Sequence, residues 1–165
     1  MRVLQGGEEL LTRVILEETA QLAQQASCLR SRCGSMILCG TEVIGRGVNT
    51  PPGESEAQRR CTHEKTSDHP RVTDKTCCIH AEQRAIMDAL RTHPEKLVGA
   101  RLVFARLASD GTVARAGAPY CTICSKMALD VGIKEFVLWH EEGITVYDTQ
   151  EYNTLSFAYT DTGTN

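Results

Sequence analysis

The chain has 165 residues, of which 24% are charged and 41% hydrophobic, and its formal net charge is −3. This length suits one domain with its own hydrophobic core, so we expect residues 1–165 to form a single domain. The slightly acidic charge and the lack of basic–aromatic clustering argue against a nucleic-acid partner, and the lack of a run of eighteen or more apolar residues argues against a membrane segment.

The N-terminal segment and the cysteines indicate a cellular compartment. Glu8, Glu9, Arg13 and Glu17 interrupt the apolar residues, which is typical of an amphipathic helix and not of a secretion signal. Eight cysteines would indicate disulfides in a small secreted protein. Without an export signal they indicate reduced thiols and metal ligands, so we expect a cytoplasmic protein.

Hydrophobic spacing in the first half of the chain predicts a helix, two strands and a second helix. The first helix spans about 8–27, with an apolar stripe formed by Leu11, Val14, Ile15, Leu22, Ala23 and Ala26. Strands follow at about 35–39 and 42–47, joined by a tight turn at Gly40. A second amphipathic helix covers about 80–91.

The second half of the chain continues this alternation. We expect a strand over 102–105, a helix that begins at Cys121 and ends near Gly132, and a hairpin of strands 136–139 and 144–147. A short helix over 150–157 closes the chain. Helices that alternate with five strands predict a mixed sheet flanked by helices.

Two short motifs carry the most specific chemistry. His80-Ala81-Glu82 lies at the start of the second helix, and Cys121-Thr122-Ile123-Cys124 begins the third. One imidazole and two thiolates are ligands that zinc prefers, and three protein ligands leave a fourth position for water. Free N–H groups at helix N-termini favour thiolate over thiol. Glu82, close to the ligands, would then carry protons for a zinc-activated water.

Taken one at a time, these residues have simpler interpretations. Cys121 and Cys124 could be buried thiols or half of a zinc ribbon, and Glu82 could be an ordinary first-turn acid favoured by the helix dipole. Their order and their placement at two helix N-termini favour a catalytic zinc site.

The combination of His-x-Glu with a later Cys-x-x-Cys resembles the cytidine and deoxycytidylate deaminase superfamily. The run Cys28–Leu38 is similar to the first strand region of deoxycytidylate deaminases, Val48–Pro52 is similar to their substrate loop, and Cys124-Ser125-Lys126 is similar to their Cys-Ala-Lys. The resemblance implies a three-layer α/β/α sandwich with a mixed five-stranded sheet.

The same resemblance implies roles for individual residues. His80, Cys121 and Cys124 would bind one catalytic Zn²⁺, and Glu82 would be the catalytic proton carrier. Asn49, Ala81 and Tyr120 would contact the substrate, although Asn49 before Thr-Pro-Pro is also a natural turn residue.

Two departures leave the substrate open. Tyr120 stands between Pro119 and Cys121, where the family has Pro directly before Cys. The predicted C-terminal hairpin resembles that of free-nucleoside cytidine deaminases, whereas the upstream motifs resemble deoxycytidylate deaminases. We expect hydrolytic deamination of a cytosine nucleoside or nucleotide, with release of ammonia. The alternatives are a purine-base or RNA-base deaminase of the same superfamily and a catalytically idle zinc module used for assembly.

Residues 50–76 lack apolar periodicity and are predicted to form a long irregular loop. The loop and its end carry Cys61, His63, His69 and Cys77. Since some deoxycytidylate deaminases hold a second, structural zinc in this region, a second zinc is an alternative, but we favour a solvated loop. The resemblance also implies a homo-oligomer, a dimer or larger.

Overall fold

The structure is a computed structural model that describes residues 1–72, 74 and 76–160. Its centre is a seven-stranded sheet in the order β1-β7-β6-β4-β2-β3, with β5 paired to β4. The strands are β1 Arg2–Val3, β2 Arg32–Cys39, β3 Glu42–Val48, β4 Arg101–Leu107, β5 Val113–Ala114, β6 Glu135–His140 and β7 Gly143–Asp148.

The sheet is mixed, because β4 and β6 run parallel whereas the other paired strands run antiparallel. The five predicted strands are all present, and β6 and β7 form the predicted hairpin. The two further strands, β1 and β5, have two residues each. Such short strands carry no periodicity that a sequence pattern could show.

In the described part of the chain, four α-helices cover the two faces of the sheet: α1 Gly6–Ala23, α2 Ala81–Thr92, α3 Thr122–Asp130 and α4 Thr149–Phe157. Met36 and Leu38 of β2 pack in a core with Leu16 of α1, whereas Ile37 packs in a core with Ile86 of α2. Because successive side chains of a strand point to opposite faces, α1 lies on one face and α2 on the other. The three-layer α/β/α prediction is confirmed.

The buried face of α1 differs from the predicted stripe. Leu11 and Val14 are 69% and 52% exposed, and the buried residues are Thr12, Leu16, Thr19, Ala20 and Ala23. The Thr12 and Thr19 hydroxyls donate hydrogen bonds to the backbone oxygens of Glu8 and Ile15, at 2.8 and 2.7 Å. Internal hydrogen bonds of this kind allow threonine to face the core. The predicted stripe is therefore wrong at Leu11 and Val14, whereas its remaining residues are buried or half-buried: Ile15, Leu22, Ala23 and Ala26.

Close packing of α2 on β3 fixes the N-terminus of α2. A Cβ atom on Gly47 would lie 2.2 Å from the backbone oxygen of Ala81, and one on Gly45 would lie 2.5 Å from that of Ala85. Only glycine permits this approach. The first turn of α2, which follows His80 and contains Glu82, therefore rests directly on the sheet.

The described part of the predicted irregular loop contains three short 3₁₀ turns, at Pro52–Glu54, Glu56–Gln58 and Lys65–Ser67. An isolated antiparallel bridge between Thr50 and Ile79 joins the two ends of the loop. Arg30 holds it from outside by donating to the backbone oxygens of Cys61 and His63. Within the described residues, no helix combines the length and the apolar character needed to cross a membrane.

Candidate active site

The structure brings His80, Cys121 and Cys124 together. His80 Nδ1 lies 3.3 Å from each of the two sulfur atoms, and the sulfur atoms lie 3.1 Å apart. Cys121 and Cys124 are buried and His80 is half-buried. Residues that are distant in sequence thus present one nitrogen and two sulfur atoms to a common point.

Local structure explains how each ligand is held. His80 precedes the first turn of α2, and its backbone N–H donates to Gln83 Oε1 at 3.0 Å. Cys121 is the N-cap of α3, and its sulfur accepts from the backbone N–H of Cys124 at 3.4 Å. Both helix N-termini therefore point at the same place, where their dipoles stabilise negative charge.

This donor set fits zinc. Zinc–sulfur bonds of about 2.3 Å in tetrahedral geometry set sulfur atoms roughly 3.8 Å apart, so the two thiols, now 3.1 Å apart, need to separate by only about 0.7 Å. The hydrogen bond from Cys124 lowers the pKa of Cys121 to about 4 against the effect of burial, and the hydrogen bond from His80 adds to the shift. The group is therefore built to hold a thiolate.

Glu82 lies beside this group in the first turn of α2. Its side chain is only 7% exposed, and burial raises its pKa, as does the nearby charge of Cys121. The Cys124 thiol is a hydrogen-bond partner of its carboxylate. A buried carboxyl with a raised pKa is a better proton carrier than an exposed one.

A cavity of about 180 Å³ opens next to Glu82. Asn49, Ala81 and Tyr120, the three residues expected to contact substrate, all line it. The sequence analysis missed four further lining residues, which are Ser31, Cys33, Phe104 and Arg106. They lie in or directly before β2 and β4, and the face of a strand that lines a cavity depends on how the helices pack on the sheet.

Asn49 has a definite structural role in addition to lining the cavity. Its Oδ1 accepts from the backbone N–H of Cys33, and its Nδ2 donates to the backbone oxygen of Ser31, both at 2.8 Å. These bonds tie the end of β3 to the start of β2. The side chain is buried and fixed, with one N–H and one lone pair remaining for a substrate.

Tyr120, the residue between Pro119 and Cys121, stands at the open side of the site. It is 61% exposed and also lines a second, smaller cavity with Glu82, Phe104 and Arg106. Its ring centroid lies 5.8 Å from that of Tyr159, which follows α4. The extra residue thus adds an aromatic ring to the cavity and leaves the Cys121–Cys124 spacing unchanged.

A second group of thiols lies around the irregular loop. Cys28, Cys61 and Cys78 present sulfur atoms within 4.8 Å of one another. Cys77 joins them, because its sulfur lies 3.1 Å from that of Cys61 and 3.7 Å from that of Cys78. We call these four residues the thiol cluster.

The thiol cluster differs from the set considered on sequence grounds. Cys61 and Cys77 are in it, but His63 and His69 are not. His63 Nε2 lies 2.8 Å from Asp68 Oδ1, and His69 Nδ1 accepts from the backbone N–H of Arg71. Cys78 and Cys28, the latter distant in sequence, lie beside Cys61 and Cys77 instead of the two histidines.

Comparison with known proteins agrees with this geometry. Residues 11–140 match the model of the family described as the cytidine and deoxycytidylate deaminase zinc-binding region. The chain belongs to this family.

Individual relatives are more distant. A deoxycytidylate deaminase of Schizosaccharomyces pombe is 27% identical over 127 residues, which cover 74% of this chain and 34% of the relative. The chain therefore spans about a third of the length of that relative.

Solved structures share the fold. A dCMP deaminase of the cyanophage S-TIM5, solved in complex with dCMP and dUMP, has a TM-score of 0.56 and 19% identity, over 81% of this chain and 82% of that one. A cytidine deaminase of Burkholderia pseudomallei has a TM-score of 0.52 and 14% identity, over 85% of this chain and 94% of that one. At these identities the likeness concerns the fold alone.

Proposed function

We propose that the chain is a zinc-dependent hydrolase that removes the amino group of a cytosine nucleoside or nucleotide and releases ammonia. The observation that carries the proposal is the convergence of His80, Cys121 and Cys124 beside the buried Glu82, at the wall of a cavity. A purely structural zinc site needs no buried carboxyl at an open cavity, so this arrangement disfavours the idle assembly module.

His80, Cys121 and Cys124 would hold the zinc, with His80 Nδ1 facing the two sulfur atoms. When bound, zinc would supply an activated water for attack on the ring carbon that bears the amino group. The rigid helix N-termini keep the ligands in place because α2 lies directly against Gly47.

Glu82 would move the protons. In this mechanism it would accept one proton from the attacking water and pass it to the ring nitrogen. It would then take the second proton, from the newly added hydroxyl, and give it to the amine, which leaves as ammonia when the bond between carbon and the amino nitrogen breaks. A single carboxyl can serve all of these transfers if it stays within reach of both reactants. Because Glu82 is buried in the first turn of α2, its carboxyl has little freedom to move away from the reactants.

The remaining cavity residues would position the substrate. Asn49 is held by two backbone hydrogen bonds and would contact the sugar with its remaining N–H. Ala81 has no side chain beyond Cβ and would leave room for the base, and Tyr120 would cover the open side.

The relatives favour cytosine over a purine or an RNA base. The fungal relative is named a deoxycytidylate deaminase, and the phage enzyme was solved with dCMP and dUMP. The decisive experiment is ammonia release from a panel of dCMP, deoxycytidine, cytidine, adenosine and guanine. We expect release of ammonia from a cytosine compound and none from the purines. Release from a purine alone would refute the cytosine assignment. Release from no compound would refute the proposal that the chain is a deaminase.

We also propose a second, structural zinc in the thiol cluster. The sulfur–sulfur separations among Cys61, Cys77 and Cys78 are 3.1, 3.7 and 4.0 Å and bracket the roughly 3.8 Å expected around tetrahedral zinc. The Cys28 sulfur lies within 4.8 Å of those of Cys61 and Cys78. Four thiols close the coordination sphere, as in structural sites. This geometry favours a metal site over the simple solvated loop that the sequence suggested.

A homo-oligomer, a single domain over residues 1–165 and a cytoplasmic location complete the proposal. The exposed ring of Tyr120 beside the cavity supports an oligomer, since a neighbouring subunit could cover it. Light scattering should give a dimer or larger at micromolar concentration. An active monomer would contradict this part.

A further inference from the structure

Arg106 is a positively charged residue in the cavity for which sequence patterns gave no role. It lies on β4 opposite Cys33 of β2. It lines the larger cavity and also the smaller one that adjoins Glu82 and Tyr120. Of the residues found to line the larger cavity in the described part of the chain, Arg106 is the one lysine or arginine.

The position of Arg106 relative to Glu82 indicates which end of a substrate Arg106 would contact. Glu82 is buried, whereas Arg106 is exposed, so the charge of the arginine lies at the outer part of the cavity. Phe104, two residues earlier on the same strand face, also lines the cavity and is half-buried. A substrate whose base reaches Glu82 would extend its opposite end towards Arg106.

Electrostatic coupling supports this arrangement. Burial raises the pKa of Cys33 to about 11, and among the smaller influences Glu82 raises it and Arg106 lowers it. The Cys33 thiol thus senses both charges, which places the carboxyl and the guanidinium around one volume.

Three other arginines of the described chain are engaged elsewhere. Arg30 donates to backbone oxygens of the loop, Arg84 donates to the backbone oxygen of Pro51, and Arg115 stacks over the ring of Trp139 at 3.7 Å. Within the described residues, the Arg106 guanidinium makes no hydrogen bond or ion pair. A guanidinium at a cavity mouth is well suited to bind a phosphate with two parallel hydrogen bonds.

We propose that Arg106 binds the phosphate of the substrate and thereby selects a cytosine nucleotide over the corresponding nucleoside. This inference rests on the proposed function and specifies its substrate class. The net charge of −3 gives no general attraction for an anion, so the attraction has to come from a local cation.

The test measures kcat/KM for dCMP and for deoxycytidine in wild type, Arg106→Gln and Arg106→Lys. Because a charge-assisted contact is lost, the ratio of the dCMP value to the deoxycytidine value should fall about 10- to 100-fold in Arg106→Gln. Arg106→Lys keeps the charge but not the paired donors, so it should restore part of the ratio. Arg115→Gln removes a nearby arginine outside the cavity and should leave the ratio at the wild-type value.

Each outcome separates this inference from the proposed function. An unchanged ratio in Arg106→Gln, with both activities either retained or equally reduced, would overturn the phosphate role while leaving the deaminase intact. A wild type that favours deoxycytidine over dCMP would overturn it as well. If wild type releases ammonia from neither compound nor from cytidine, the proposed function itself fails. Calorimetric titration with dUMP and deoxyuridine gives a second readout, in which Arg106→Gln should weaken dUMP binding selectively.

Discussion

The two cysteine groups of this protein are built from different parts of the fold. His80, Cys121 and Cys124 lie at the N-termini of two helices that pack on the sheet, beside a buried carboxyl and a cavity. The thiol cluster joins the segment after α1 to an irregular loop and to the residues before α2. Three ligands with an adjacent carboxyl suit chemistry, whereas four thiols suit a closed structural site. The proposed catalytic role of the first group therefore rests on the carboxyl and the cavity, and not on its sulfur atoms alone.

The largest expected effect comes from Glu82→Gln, which keeps the shape of the side chain but cannot carry a proton. Turnover of the preferred substrate should fall by about 10²–10⁴-fold or more, since positioned acid–base groups contribute this much and Glu82 serves several transfers. Zinc content should stay at the wild-type level. Ammonia release and metal analysis on the same sample check both statements. Activity within tenfold of wild type would show that the proton carrier has been misassigned.

Cys61→Ala should separate the two groups of cysteines. A ligand present at about 100–1,000 times its Kd stabilises a fold by about 3–4 kcal/mol, which for this chain length is a Tm shift of roughly 6–16 °C. We expect such a drop in Tm, loss of one zinc equivalent, and ammonia release at low temperature within tenfold of wild type.

The matched control is Cys39→Ala, since Cys39 is a half-buried thiol at the end of β2 outside both groups. It should keep both zinc equivalents. Equal zinc content in Cys61→Ala and Cys39→Ala would argue that the thiol cluster binds no metal.

Gly47→Ala tests whether packing of α2 on β3 holds the catalytic group. The new Cβ would lie 2.2 Å from the backbone oxygen of Ala81 and 2.4 Å from the backbone nitrogen of Ala85, so α2 has to move. We expect a loss of about 1–3 kcal/mol in the free energy of unfolding, together with reduced ammonia release.

Gly7→Ala serves as the comparison, because a Cβ there meets no atom within 4 Å and the residue lies in a helix. It should be neutral or slightly stabilising in denaturant titration. Comparable stability and activity in the two variants would mean that α2 tolerates the displacement.

The smallest expected effect belongs to Tyr120. Tyr120→Ala removes a ring that is exposed at the cavity, and an aromatic contact is worth about 0.5–1.5 kcal/mol. KM should rise roughly 2- to 10-fold with zinc content unchanged, whereas Tyr120→Phe, which keeps the ring, should stay close to wild type. A KM unaffected by Tyr120→Ala would place Tyr120 outside the substrate site.

Local patterns predicted much of this molecule. The helices that begin after His80 and Cys121 and the five longer strands follow from short-range spacing and were found where expected. Features that depend on tertiary packing were missed. Two residues of the predicted α1 stripe, Leu11 and Val14, are exposed. The core side of α1 contains threonines as well, because their hydroxyls bond to their own helix and Gly34 of β2 allows the backbone of Thr19 to approach closely.

The cavity and the thiol cluster show the same limit. Phe104 and Arg106 belong to a strand whose two faces cannot be assigned to cavity or core until the helices are placed. Cys28 lies far from Cys61 and Cys78 in the chain, so no spacing rule connects them. His63 and His69 looked suitable by type, but the fold directs them to other partners.

The central claim is that His80, Cys121 and Cys124 hold the zinc on which deamination depends. Its most direct test is the zinc content and ammonia release of Cys124→Ala, with far-UV circular dichroism to verify the fold and Cys39→Ala as the control. The account predicts that Cys124→Ala loses one zinc equivalent and all measurable ammonia release, while Cys39→Ala keeps both. A folded Cys124→Ala protein that retained wild-type zinc and still released ammonia would contradict it.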